Sequence, residues 1–199
     1  MKRILFFMLL SLTMVTTAFA QEGSFTKAVA KYRTAKTATA KAIMVKHNKS
    51  MTKSKTYQGY LSMKDPDKVA IVCDNGKEQL VMNGNTFTMV MSGHKRVASA
   101  KTASQFAAFK TVLLSVLNGG KTDISKVPGV SIANNGGSVV VTMTPAKAKR
   151  LMFTSFVLSI DRRSGELEYL TLNSSRGYTK YTFSNFKFGG AVNDKTFQP

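Results

Sequence analysis

The chain has 199 residues, of which 29 are Lys or Arg and 10 are Asp or Glu, giving a formal net charge of +19. With 43% hydrophobic and 20% charged residues the composition excludes a disordered chain. The single cysteine excludes an intramolecular disulfide framework and a zinc site built from several thiolates, and the length suits one domain or two small ones.

Residues 1–20 differ in character from the rest of the chain. Lys2 and Arg3 precede an apolar run, Ile4 to Leu10, that continues less strictly through Leu12, Met14 and Val15; Ala18-Phe19-Ala20 then comes before Gln21. A basic start, a short apolar stretch and small residues two apart mark a cleavable secretory signal of bacterial type, and the apolar core is too short to span a bilayer. The expected organisation is a signal peptide over 1–20 and one domain over 21–199. No cysteine follows the apolar run, so the exported product is not expected to be lipid-anchored.

Ser24 to Tyr32 predicts a short amphipathic helix, with Ser24 as cap and Phe25, Val29 and Tyr32 on one side. The tract Thr34 to Ala42 alternates small and polar residues and runs into Ile43-Met44-Val45, which favours a strand. Tyr57 to Met63 is a further strand. Lys64-Asp65-Pro66-Asp67 is a turn, because proline fixes its own backbone and restrains its predecessor. Val69 to Cys73 follows, then the turn Asp74-Asn75-Gly76. Gln79 to Met82 and Thr86 to Met91 flank Asn83-Gly84-Asn85 as a hairpin, with Phe87, Met89 and Met91 on one face.

Thr102 with Gln105 resembles a capping box, and Phe106, Phe109, Leu113, Val116 and Leu117 follow at helical spacing until Asn118-Gly119-Gly120 stops the helix. Strands then return. Val130 to Ala133 and Val139 to Met143 flank a turn at Asn134-Asn135-Gly136-Gly137, and Leu151 to Asp161, Glu166 to Leu172 and Tyr178 to Phe188 complete a meander. Short strands at this spacing predict a mainly β (α+β) domain built on one antiparallel sheet, strongly curved or closed.

Reactive chemistry is sparse. His47 and His94 lie beside lysines in polar contexts and read as solvent-facing, and no His or Cys spacing offers metal ligands. Gly119-Gly120-Lys121-Thr122 resembles the tail of a phosphate loop, but Ser115 stands where its first glycine belongs and the segment follows a helix instead of opening one. Glu166 and Glu168 share a strand face and read either as a catalytic pair or as solvated partners of Arg162 and Arg163. Cys73 sits in an apolar strand as an inert thiol. No catalytic residue, metal or cofactor is expected. The positive charge is scattered and carries no aromatic-glycine strand motif, which argues against nucleic acid. It suits a salt-sensitive attraction to anionic membrane surfaces. Thirteen Phe, eleven Met and no Trp suit either an ordinary core or a flexible interior that adapts to acyl chains.

The stretch from Gly59 through Tyr60-Leu61-Ser62-Met63, Lys64-Asp65-Pro66-Asp67-Lys68 and then Leu80-Val81-Met82-Asn83-Gly84-Asn85-Thr86-Phe87 resembles the LolA family of periplasmic outer-membrane lipoprotein carriers, in a divergent, Bacteroidetes-like form. Phe156-Val157-Leu158-Ser159-Ile160-Asp161, Gly165-Glu166-Leu167, Tyr181 to Phe186 and Val192-Asn193-Asp194-Lys195-Thr196-Phe197 continue the resemblance in order. It implies an incomplete, curved antiparallel β-barrel with short helices as a lid over an apolar cavity, and gives the Phe106 to Leu117 helix the place of lid. Proteobacterial members carry an Arg in the Lys-x-Pro turn that latches the lid. Here that position is Asp65, which cannot donate those hydrogen bonds, so Lys64, Asp65 and Pro66 are candidate turn residues and Lys64 the candidate substitute latch. The family's cavity tryptophans are also absent, leaving Phe and Met to serve.

The candidate cavity residues are Leu61 (or its neighbour Tyr60), Leu80, Met82, Phe87, Met89, Met91, Phe106, Phe109, Leu113, Phe156, Leu158, Ile160 and Phe183. The function implied is a monomeric, non-enzymatic carrier that binds acyl chains of lipoproteins and ferries them from the inner to the outer membrane. Its implied partners are acylated lipoproteins, an inner-membrane ABC lipoprotein exporter, an outer-membrane acceptor and, transiently, anionic membrane surfaces. The alternatives are a lipid or glycolipid carrier, a lipid-sensing protein on the same fold, and an exported enzyme.

Overall fold

The computed structural model describes residues 23–50, 52–99, 104–145 and 152–199. The expected signal peptide, Thr102 of the capping box and Leu151 lie outside them. Helix α1 occupies residues 23–35, and β1 (Thr37–Asn48), β2 (Lys55–Lys64), β3 (Lys68–Cys73), β4 (Glu78–Asn83), β5 (Thr86–Met91) and β6 (His94–Ser99) follow. Helix α2 (Ser104–Leu117) leads to β7 (Val130–Asn135), β8 (Ser138–Met143), β9 (Ser155–Asp161), β10 (Leu167–Ser174) and β11 (Gly177–Phe188). Among the described residues no helix is long and apolar enough to cross a membrane.

All eleven strands form one antiparallel sheet in the order β6-β5-β4-β3-β2-β1-β11-β10-β9-β8-β7. Two meanders are thus sewn together by β1 against β11, pairing Ala42 with Phe183 and Met44 with Tyr181. The sheet stays open, with β6 and β7 as its edges. The chain leaves one edge at β6 and re-enters at the other edge, β7, so α2 has to cross the gap between them.

Ring contacts show how far the sheet curves. Phe87 on β5 and Phe156 on β9 are seven strands apart, about 34 Å along a flat sheet. Both nevertheless touch Phe109 of α2, at 5.8 and 4.5 Å between ring centroids. The sheet is therefore rolled into most of a barrel with α2 against its concave face. Gly59 contributes to this roll: a Cβ there would fall 2.0 Å from the Val72 carbonyl oxygen and 2.6 Å from Cys73 Sγ, so only hydrogen fits where β2 and β3 approach.

Alternation along each strand sends one set of residues inward. On β1 the buried set is Ala38, Ala40, Ala42 and Met44, on β9 Phe156, Leu158 and Ile160, and all belong to a single core cluster. Helix α1 plugs the end of the barrel where β1 begins. Phe25, Ala28, Val29 and Tyr32 are buried there, Tyr32 meets Phe188 edge-on at 5.1 Å, and Arg33 donates to the Gly119 carbonyl at 2.9 Å. Helix α2 ends as its glycines require. Gly119 has φ +67°, and the amides of Gly120 and Gly119 close on the carbonyls of Ser115 and Val116 at 2.7 and 3.0 Å, satisfying carbonyls the helix would leave open.

Several details depart from the sequence reading. Ser24, the expected cap, lies inside α1, which runs on through Thr34 and Ala35 before β1 begins. β6 is a strand where none was expected. It opens on His94-Lys95-Arg96 and leaves Val97 61% exposed, as an edge strand can. β9 begins at Ser155, after Phe153 has turned into the core. Glu166 and Glu168 do not pair with Arg162 and Arg163. Glu168 accepts from Ser159 Oγ, and Arg162 donates to the Gly136 carbonyl.

Candidate functional site

The concave face brings the expected cavity residues together. Leu61, Leu80, Met82, Phe87, Met89, Phe106, Phe109, Leu113, Phe156, Leu158, Ile160 and Phe183 fall in one buried cluster, with Met91 partly buried against it. Between Tyr60 and Leu61 the pleat decides: Leu61 points inward, while Tyr60 is 47% exposed on the other face.

Aromatic rings pack this interior. Phe106 stacks on Phe87 at 4.8 Å, Phe109 stacks on Phe156 at 4.5 Å, and Phe153 closes the pile with Phe156 at 5.3 Å. Each such pair adds about 0.5–1.5 kcal/mol to the burial of its rings. A void of about 30 Å3 remains beside Leu80, Met89, Met91, Phe153, Leu172 and Tyr181, room for little more than a water. The rings of α2 occupy the middle of the barrel.

Among the described residues the polar ties of α2 are few. Lys110 Nζ donates to Asn85 Oδ1 in the β4–β5 turn, and Ser115 Oγ donates to the Thr122 carbonyl at 2.7 Å, just beyond the helix. The candidate latch residues lie elsewhere. Lys64 Nζ donates to Asp194 Oδ1 at 3.1 Å, where Lys68 also binds at 2.8 Å. These two ammonium groups hold the Asp194 carboxyl below its ordinary range. Asp65 pairs with Lys36 at 3.2 Å, and Pro66 follows a cis peptide bond. The turn therefore ties down the α1–β1 connection and the C-terminal segment, whose Phe197 is buried against Ala70 and Val81 on the convex face.

The end of the barrel opposite α1 is open. A cleft of about 520 Å3 is lined there by Lys46, Arg96 and Arg176 above Met91, Phe153 and Leu172. It adjoins the small void, since Lys46, Met91, Phe153 and Leu172 line both. Just inside, the buried Glu78 carboxylate accepts from Lys46 Nζ at 2.9 and 3.2 Å and from the Ser92 amide at 3.1 Å. β1 and β4 are separated by β2 and β3, so this pair spans the concave face. Beside it, burial first and then the Glu78 and Asp74 carboxylates push the Cys73 thiol up to about 11, which keeps it an unreactive thiol. Burial likewise raises the Tyr181 hydroxyl.

The sequence reading missed Lys46, Glu78, Arg96, Phe153 and Arg176. The available signals were an acid in phase with the inward Leu80 and Met82 of β4 at Glu78, and a lysine in phase with the inward alanines of β1. His47 also differs from its expectation: its ring stacks on Tyr178 at 5.3 Å and is half-buried, while His94 is exposed as expected. Among the described residues no three of His, Cys, Asp and Glu gather as metal ligands would.

A family model described as outer membrane lipoprotein carrier protein LolA matches residues 33–199. No curated protein sequence matches the chain. Solved structures resembling it include a proposed outer membrane lipoprotein-sorting protein domain from Vibrio parahaemolyticus (12% identity, 90% of this chain and 97% of that one, TM-score 0.47). A LolA superfamily protein from Nitrosomonas europaea is 8% identical over 88% of this chain and 96% of that one, with TM-score 0.39. The lipoprotein LppX from Mycobacterium tuberculosis is 14% identical over 87% of this chain and 97% of that one, with TM-score 0.41.

Proposed function

The chain belongs to the outer membrane lipoprotein carrier protein LolA family, and from that premise we propose that it is a periplasmic carrier whose half-barrel receives the acyl chains of lipoproteins on their way from the inner to the outer membrane. An inner-membrane ABC exporter hands the cargo over and an outer-membrane acceptor takes it. The observation that carries this reading is the plug: Phe106 and Phe109 of α2 lie between Phe87 and Phe156 on opposite flanks of the sheet. An apolar interior closed by a helix that, among the described residues, has few polar ties is the resting form of a container. Cargo enters when α2 lifts and acyl chains take the place of its rings.

Magnitudes support the exchange. Burying an acyl chain of about fifteen methylenes yields ~12 kcal/mol at ~0.8 kcal/mol each. Uncovering Phe106, Phe109 and Leu113 costs ~1.5–3 kcal/mol apiece. One chain roughly balances lid opening once the cost of association is counted, and two or three exceed it. The container thus favours multiply acylated cargo over single fatty acids.

Titration of residues 21–199 with a triacylated lipopeptide, followed by calorimetry, tests this reading. Saturable one-to-one binding is expected, with no heat from the same peptide lacking its acyl chains. Equal binding of the two peptides, or binding of neither, contradicts it.

A further inference from the structure

The strand registers place basic side chains around the open end of the barrel. Lys46 continues the inward series Ala38, Ala40, Ala42, Met44 along β1. Arg96 of β6 pairs with the inward Met89 of β5 and so faces the same side. Arg176 sits in the tight β10–β11 turn, where its carbonyl accepts from the Lys49 amide at 2.8 Å. All three line the 520 Å3 cleft, whose lining includes no Asp or Glu. Lys46 is already engaged by Glu78 at 2.9 Å. Among the described residues neither Arg96 nor Arg176 forms an ion pair, so two arginines line the cleft without a carboxylate partner. Beneath them the lining changes to Met91, Phe153 and Leu172, which continue to the void within the barrel.

A basic rim over an apolar floor has the polarity of an anionic amphiphile standing head-out. We propose that this cleft is a head-group site in which Arg96 and Arg176 bind a phosphate-bearing lipid head while its acyl chain passes Met91, Phe153 and Leu172 toward the interior. Guanidinium suits this task, since its planar fork meets two phosphate oxygens at once. The Lys46–Glu78 pair lies on the inner side of the rim, where it sets the depth at which the charged head stops. The proposal rests on the acyl-binding reading of the interior and adds a choice among lipids by head-group charge.

The test compares 1-palmitoyl lysophosphatidylglycerol with the phosphate-free 1-palmitoylglycerol, below the concentrations at which either aggregates, by calorimetric titration of residues 21–199. The anionic lipid is expected to bind about tenfold tighter, the worth of one added charge-assisted hydrogen bond. The double variant Arg96→Ala/Arg176→Ala is expected to lose that preference while keeping the wild-type affinity for the phosphate-free lipid. A control, Lys27→Ala/Lys121→Ala, removes the same charge from exposed positions outside the cleft and is expected to keep the preference. Equal wild-type affinities, or a preference that survives the arginine pair's removal or falls equally in the control, overturn the head-group site alone. Failure of both lipids to bind also overturns the head-group site and leaves the acyl-binding reading to the triacylated lipopeptide, since a single chain only balances the opening of α2.

Discussion

Truncation of Phe109 to alanine is expected to weaken the fold and tighten cargo binding at once. The ring stacks on Phe156 at 4.5 Å and touches Phe87 at 5.8 Å, and it is almost wholly buried. Removing such a ring costs ~3–5 kcal/mol, which lowers the thermal midpoint of a domain this size by roughly 10 °C. In an ordinary core nothing further would result. If α2 is a cover, the closed state loses contacts that the loaded state has already given up, so the penalty for opening falls and apparent affinity for a triacylated lipopeptide rises, by about tenfold. Phe197→Ala is the control. It removes a comparably buried ring on the convex face, and should lower the midpoint while leaving affinity unchanged. Affinity that falls in Phe109→Ala would show that the ring belongs to the binding wall and not to the plug.

The second large effect lies at the Lys46–Glu78 pair. Glu78 is 5% exposed, and among the described residues Lys46→Met would leave its carboxylate with the Ser92 amide and hydroxyl, at 3.1 and 3.4 Å. Stranding a buried charge costs ~3–5 kcal/mol. The expected loss is at the lower end, about 3 kcal/mol, because the Lys46 side chain is 30% exposed and water reaches it. The double variant Lys46→Met/Glu78→Leu removes both charges and should recover to within about 1 kcal/mol of the original chain in urea unfolding. A double variant as unstable as the sum of the single ones would contradict this account of the pair.

What could be read from the sequence was whatever is local or periodic. Asn83-Gly84-Asn85 announced the β4–β5 hairpin, and in the structure Asn83 pairs with Thr86 across a two-residue Gly84-Asn85 loop with Gly84 at φ +61°. Alternation on β4, β5 and β9 placed Leu80, Met82, Phe87, Met89, Phe156, Leu158 and Ile160 on one face, and the helical spacing of Phe106, Phe109 and Leu113 gave the helix that covers them. β6 was illegible because an edge strand needs no apolar face: His94, Arg96 and Lys95 look like loop residues until Met89 and Val90 are seen opposite them. The basic mouth was illegible for a different reason. Lys46, Arg96 and Arg176 come from three distant segments, and only the roll of the sheet brings them to one opening. The Lys64-Asp65-Pro66 turn was recognised as a turn, but its partners, Asp194 and Lys36, are set by where the chain ends and where α1 ends, and neither can be deduced from the turn itself.

The proposed carrier holds acyl chains of lipoproteins in place of its own phenylalanines. Isolation of the protein from its native envelope, without detergent, followed by mass spectrometry of what leaves with it identifies the cargo. Triacylated peptides, released in proportion to the carrier, are the expected result. A protein that emerges free of any acylated peptide would contradict it, and free phospholipid or glycolipid as sole cargo would replace the lipoprotein with lipid.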